Sequence, residues 1–374
     1  MKQAFRISLA LLLLCALALP VSAAPQNARA AALSWLQKEE NTQFDYTQTD
    51  YPDSLADWTA FTLAQCGVQP DARYKDYLTA VVQNSLETLY PSDVARLVLA
   101  AKAIGSSPQN IGGRDLLAAL RSVDYASQIY VSSLAFPLLA MDFDASFPFT
   151  DSDRAPLLEA LCAAQQPDGG FPYCTEDQGY GISSDCDTTA MAVQALAPYR
   201  EKDETVRGVL DRALDYLKAQ QFESGAFGTA VFGTPSGEST AQVILALCAL
   251  GLDPANPEFC KNGVSPVDAL EAYLSEAGGG LNYAGAEDPL TTYQIAQALE
   301  AYRRLQAGEP TLFTFTGAPG PSEPGTQAPQ PETPTGEQPA SPVEIPKTGG
   351  AAPAAAAGLT CLAAAVLLGR RRHV

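Results

Sequence analysis

The chain has 374 residues, a formal net charge of −19 and a pI near 4.4. Nucleic-acid backbones are held by clustered Lys and Arg, so this balance excludes a nucleic-acid partner. The single histidine, His373, stands next to the C-terminus, which leaves the body of the chain without imidazole for Ser-His-Asp or Cys-His catalysis, zinc ligation or acid–base work.

Residues 1–23 combine a basic start (Lys2, Arg6), an apolar stretch from Ile7 to Leu19 and the small-residue pattern Val21-Ser22-Ala23. This is the pattern of a secretory signal peptide. The next stretch, 24–310, reads as one all-α domain built from repeats. Ala and Leu dominate at helical spacing, and strand signals are weak. Six helix pairs are predicted. Their first helices fall near 27–40, 71–88, 113–122, 151–166, 204–221 and 266–276. Their second helices fall near 54–66, 92–104, 126–141, 187–198, 239–250 and 291–305. The first helices are amphipathic. The second are apolar on nearly every side and therefore predicted to be buried, which places an inner ring of helices inside an outer one.

Two sequence elements recur. Asp187-Thr188-Thr189-Ala190, Glu238-Ser239-Thr240-Ala241 and Thr291-Thr292-Tyr293-Gln294 open three of the second helices, with Ser and Thr as expected caps. Before them stand Gln165-Gln166-Pro167-Asp168-Gly169-Gly170-Phe171, Gln220-Gln221-Phe222-Glu223-Ser224-Gly225-Ala226-Phe227 and Glu276-Ala277-Gly278-Gly279-Gly280-Leu281. In this element Gln bonds helix-end carbonyls, glycine supplies positive φ and the aromatic ring fills the joint.

The stretch 311–344 reads as a Pro-rich linker. Between Ala318 and Pro346 there are nine prolines and no aromatic residue, a composition that stays extended and solvated. Residues 345–374 close the chain with Ile345-Pro346-Lys347-Thr348-Gly349, an apolar helix over 351–368 and the basic tail Arg370-Arg371-Arg372. The apolar run just spans a bilayer, and the arginines keep its end cytoplasmic.

That three-part ending resembles the cell-wall sorting signal of Gram-positive surface proteins, with Ile345 in place of the usual leucine. The resemblance implies a sortase that cuts after Thr348 and joins its carboxyl to peptidoglycan, so that the membrane holds only the precursor. Sortase and peptidoglycan are then partners, and the expected location is the outside of the cell, attached to the wall. The Gln-x-x-Asp-Gly-Gly-Phe element, followed by Asp185-Cys186-Asp187-Thr188-Thr189-Ala190, resembles the repeats of the squalene cyclase and protein prenyltransferase superfamily. This implies a closed α/α toroid of six helix pairs, with a pocket lined by the starts of the inner helices and the loops before them. The chemistry of those enzymes does not carry over. The cyclase acid motif is incomplete, because Thr188 stands where it has a further Asp. Prenyl transfer uses a zinc site with His.

The pocket candidates are Asp168, Tyr173, Glu176, Asp177, Tyr180, Asp185, Asp187 and Glu238, of which Asp185, Asp187 and Glu238 are the candidate catalytic groups. Grouped carboxylates serve as an acid/base pair or bind Ca²⁺. Alternatively, Asp187 and Glu238 simply cap their helices. The spacing is not that of an EF-hand, so no metal or cofactor is assigned. Cys174 and Cys186 lie in one loop region and are the first candidates for a disulfide in an exported chain. Lacking histidine, the chain reads first as a wall-displayed, non-catalytic toroid that binds a small extracellular ligand, peptide or glycan. The alternatives are a carboxylate-based glycan hydrolase or lyase and a structural or adhesive surface protein.

Overall fold

The computed structural model describes residues 23–318, apart from Tyr180 and 229–232. The chain divides into two units, Met1–Pro319 and Gly320–Val374, and all described residues belong to the first. The signal peptide except its last residue, most of the Pro-rich linker, the Ile345–Gly349 motif with Thr348, and the apolar helix over 351–368 lie outside the described residues. Among those described, no helix is long and apolar enough to cross a membrane.

Among the described residues, besides the one-turn helix Glu39–Thr42, twelve helices alternate between two layers. The outer ones are α1 (Ala23–Leu36), α3 (Tyr74–Ser85), α5 (Leu116–Arg121), α7 (Asp151–Ala163), α9 (Glu204–Ala219) and α11 (Pro266–Leu270). The inner ones are α2 (Ser54–Gln65), α4 (Pro91–Ala103), α6 (Ser132–Asp142), α8 (Cys186–Leu196), α10 (Gly237–Ala249) and α12 (Pro289–Ala307). Each inner helix packs on the next, and α12 packs back on α2, which closes the ring. The layering follows the sequence. Every residue of α8 is buried, whereas α9 buries only the stripe Val206, Val209, Leu210, Ala213, Leu214 and Leu217, with Tyr216.

Ring closure is polar as well as apolar. Arg304 of α12 donates to the Gln65 carbonyl at 2.5 Å and to its side-chain oxygen at 3.1 Å, at the end of α2. Gln297 donates to Thr62 Oγ1 at 2.8 Å across the same seam.

The recurring glycine element is a staple between outer helices. Gln165 Nε2 donates to the Gly169 carbonyl and to the Val209 carbonyl of α9, both at 2.8 Å. Gln221 makes the same pair of bonds one repeat later, to Gly225 (2.9 Å) and Phe259 (2.7 Å). Gly169 and Gly225 have φ of 89° and 82°, and a Cβ on Gly169 would come within 2.5 Å of the Arg212 carbonyl. Phe171 and Phe227 are buried at the joint.

The helix-opening threonines serve a purpose other than the expected capping. The caps are Asp185, Ser236 and Asp288. Thr189, Thr240 and Thr292 instead accept the backbone N–H of Phe171 (2.8 Å), Phe227 (3.0 Å) and Gly280 (2.7 Å), and so pin each preceding loop to its inner helix. Two short ladders, Phe171–Pro172 with Ser184–Asp185 and Gly280–Leu281 with Glu287–Asp288, complete these loops.

Several expected helices are shorter than the sequence suggests, among them the second outer one, which is α-helical only over Tyr74–Ser85. The third outer helix begins only at Leu116, where Asp115 caps it. The last outer helix stops at Leu270 and continues as a 3-10 turn, Glu271–Tyr273. Before Ser132 only a 3-10 turn, Tyr125–Ser127, forms, because Ile129 and Val131 pair with the backbone of Thr175 and Tyr173.

Candidate functional site

The N-terminal ends of the inner helices gather the buried carboxylates. Asp185 caps α8, accepting from Thr188 N at 3.0 Å and Thr188 Oγ1 at 3.2 Å. Asp187 is the second residue of α8 and is 4% exposed; Ser239 of α10 lies beside it and acts to lower its pKa, and its Oδ1 has no hydrogen-bond partner. Burial is the main force holding the Asp187 carboxyl well above the usual carboxylate range, and the negative charges of Asp185 and Glu238 add to it. Glu238 holds the matching position in α10. It is also 4% exposed and accepts from Thr291 Oγ1 of α12 at 2.6 Å. Burial raises its pKa too, and the Thr291 bond opposes that rise. Neither residue is the helix cap that the alternative reading made it, since both stand inside the first turn behind Asp185 and Ser236.

The other loop acids separate from this pair. Asp168 spends Oδ1 on its own turn, accepting from Gly170 N (3.0 Å) and Ser184 Oγ (2.6 Å). Asp177 is exposed and accepts from Gly179 N (2.7 Å) and Gly181 N (2.8 Å), and Glu176 is exposed beside it. Among the described residues no three acidic, Cys or His side chains are placed to hold a metal. Tyr180 lies outside the described residues.

The Cys174–Cys186 disulfide expected from the sequence is not formed. Both are buried free thiols, as separate elements claim them: Cys174 bridges to Tyr130 in backbone pairing, and Cys186 opens α8. Burial, with Asp187 and Asp185 adding charge, pushes the Cys186 thiol well up.

Two features of this end of the ring escape a reading of motifs alone. Tyrosine rings run along it, with Tyr90 and Tyr130 6.2 Å apart and Tyr130 and Tyr173 5.4 Å apart between ring centres. Tyr90, just before α4, is 41% exposed. The second feature is a buried ionic cluster. Arg96 of α4 lies between Asp57 of α2 and Asp93, at 2.9 Å from each, and Tyr74 donates to Asp57 at 2.9 Å. Burial outweighs these partners and pushes Asp57 up to about 6. The available signal is Asp57, the one charge in α2, and Asp93 and Arg96 three residues apart in α4.

The centre of the ring is filled on one side. Trp58 packs against Phe136 across the ring (5.5 Å) and stacks with Tyr293 (6.4 Å), and Phe313 stacks on Phe61 (5.4 Å). Composition alone assigns Phe313 to the linker. In the structure, the stretch after α12 folds back and buries Leu312 and packs Phe313 and Phe315 against the ring.

No family model and no curated protein matches the chain. Solved structures do resemble it. An unsaturated glucuronyl hydrolase from Bacillus sp. GL1, described as responsible for the degradation of glycosaminoglycan, is 15% identical with a TM-score of 0.52, covering 78% of this chain and all of its own. A variant of the type II terpene cyclase MstE from Scytonema is 14% identical with a TM-score of 0.51, over 75% of this chain and 97% of its own. An unsaturated glucuronyl hydrolase from Streptococcus agalactiae is 12% identical with a TM-score of 0.50, over 74% and 91%. The shared fold is an α/α toroid. At these identities the likeness speaks for the fold alone, and the same ring carries both sugar and terpene chemistry.

Proposed function

We propose that the chain is a carboxylate enzyme that cleaves a glycan at the N-terminal mouth of the toroid, with Asp187 as the proton donor. The observation that carries this reading is the state of Asp187. Burial and two neighbouring acids push its pKa well above the usual carboxylate range, and one of its oxygens has no hydrogen-bond partner. A carboxylic acid held neutral is what a general acid needs when a leaving oxygen must be protonated, and Glu238 or Asp185 supplies a second carboxylate for the base. The tyrosines Tyr90, Tyr130 and Tyr173 support a sugar as the substrate, since sugar rings stack on aromatic faces and Tyr90 is open to solvent. This reading takes the place of non-catalytic binding as the first choice, because a buried acid with a strongly raised pKa and an unpartnered oxygen is what general-acid catalysis uses. The ending Ile345–Thr348 and the apolar start of the chain support action outside the cell, on a protein joined to peptidoglycan through Thr348.

The reaction class is tested by incubating the chain with neutral and acidic oligosaccharides and following products by mass spectrometry. Hydrolysis adds water across the bond cut, whereas a lyase leaves an unsaturated product of unchanged total mass. Tyr90→Ala should raise KM and leave kcat nearly intact. Oligosaccharides that bind without being cut would return the chain to the display reading.

A further inference from the structure

A second open space lies at the opposite end of the ring. A cavity of about 800 Å³ sits among the last turns of α6, α8, α10 and α12, far along those helices from Asp187 and Glu238. Its floor is apolar and includes Leu139, Leu245, Ala301 and Phe313. One wall is the strap that follows α12, from Glu309 to Thr314. This strap is anchored: Arg304 donates to the Thr311 carbonyl at 3.0 Å, Leu312 is 2% exposed, and Phe315 N donates to the Phe143 carbonyl at 2.7 Å.

The charges on its walls cancel in pairs. Asp142 holds Arg154 at 2.6 Å and accepts from the Tyr199 hydroxyl at 2.6 Å. Asp144 is paired with Lys102 at 2.6 Å, and Glu309 with Arg303 at 2.7 Å. Asp151 and Lys202 remain, one of each sign and both exposed. A charged ligand end would give up its hydration here and meet no uncommitted buried counter-charge. Among the lining residues, one buried uncharged side chain keeps an acceptor unused. Gln194 of α8 is 4% exposed, and its amide nitrogen donates to the Ala190 carbonyl at 3.2 Å and to Gln242 Oε1 at 3.0 Å. Its own side-chain oxygen is left to accept from a ligand. We infer that this cavity binds a neutral, largely apolar molecule that carries a hydroxyl, at a site separate from the acidic mouth. The apolar floor takes the body, and Gln194 Oε1 accepts from the hydroxyl.

A matched probe series tests this on the full chain by calorimetry: octanol, its isomer heptyl methyl ether, octylammonium and octanoate, each below its solubility or micelle limit. Octanol should bind at least tenfold more tightly than either charged probe. It should bind about two- to tenfold more tightly than the ether, the range for one net hydrogen bond. Two variants locate the site. Ala145→Phe, at an exposed position of the rim, narrows the cavity without touching the buried core. It should weaken octanol binding at least tenfold and keep the melting temperature of the parent. Gln194→Met removes the acceptor and should bring octanol down to the level of the ether. Should that variant fail to fold, the comparison of octanol with the ether on the parent chain still decides the point. The inference is overturned if no probe binds, if either charged probe binds as tightly as octanol, if the ether matches octanol on the parent, or if octanol binding survives Ala145→Phe.

Discussion

Thr291 donates its hydroxyl to Glu238 across the seam between α12 and α10 at 2.6 Å, with both residues buried. One helix earlier Ser239 of α10 stands in the corresponding place beside Asp187 of α8. The repeat thus places the same two positions side by side twice, a carboxylate on one inner helix and a hydroxyl on the next, and in the Glu238–Thr291 pair the two are hydrogen-bonded. Thr291→Val keeps the shape and removes the donor. It should cost about 1–3 kcal/mol, the usual penalty for stranding a buried polar group. Urea denaturation of the two proteins checks this.

Asp187 predicts a pH signature. Its folded pKa is raised, so the folded chain holds this proton after the unfolded chain has lost it. The burial penalty is therefore absent below the unfolded value, about 3.9, and it grows as pH rises toward the raised folded value. Asp187→Asn removes the titration. The stability difference between variant and parent should move in favour of the variant as pH rises from about 4 toward neutral. Chemical denaturation at a series of pH values reads this difference directly, and a gap independent of pH would contradict it.

The glycines between α7 and α8 are held by two different constraints. Gly169 and Gly179 both have positive φ, at 89° and 98°, but only Gly169 faces backbone, that of Arg212. Gly179→Ala should cost roughly 1–2 kcal/mol, the strain of a left-handed residue. Gly169→Ala should cost clearly more, because the Arg212 carbonyl must also move. Thermal melts of the pair separate strain from clash.

Arg304 joins the last inner helix to the first. Besides Gln65 and Thr311 it holds Glu300 at 2.8 Å, and Glu300 also binds Arg29 and Arg303. Arg304→Met leaves a buried carboxylate and carbonyls with fewer donors, and should destabilise the ring by about 3–5 kcal/mol. Arg304→Lys should rescue little of this, because a single ammonium cannot reproduce the planar fork that spans Glu300, Gln65 and Thr311. Denaturant midpoints of the two variants test the closure.

The ring itself was legible in the sequence because its two layers have different compositions. An inner helix such as Cys186–Leu196 has no polar face, whereas Glu204–Ala219 has one, and periodicity registers the difference. The glycine staple was legible because Gln and Gly recur at fixed offsets. What composition could not resolve was direction. Asp168, Asp177, Asp185 and Asp187 look alike along the chain, yet two serve loop turns, one caps a helix and one is buried against α10. The strap after α12 was hidden for a similar reason. Its three apolar side chains, Leu312, Phe313 and Phe315, sit among Thr and Gly next to a Pro-rich run, and their partners are far away on α2 and α6 or just beyond. The thiol pair failed because nearness in sequence was read as nearness in space.

The most direct test of the account is turnover of oligosaccharides by the parent chain, by Asp187→Asn and by Asp168→Asn. If Asp187 is the proton donor, the parent makes product and Asp187→Asn loses about 10²–10⁴-fold in kcat, the range for removal of a general acid. Asp168→Asn should retain most of its activity, since that side chain serves its own turn. A parent that cuts no glycan, or an Asp187→Asn chain as active as the parent, would contradict the assignment.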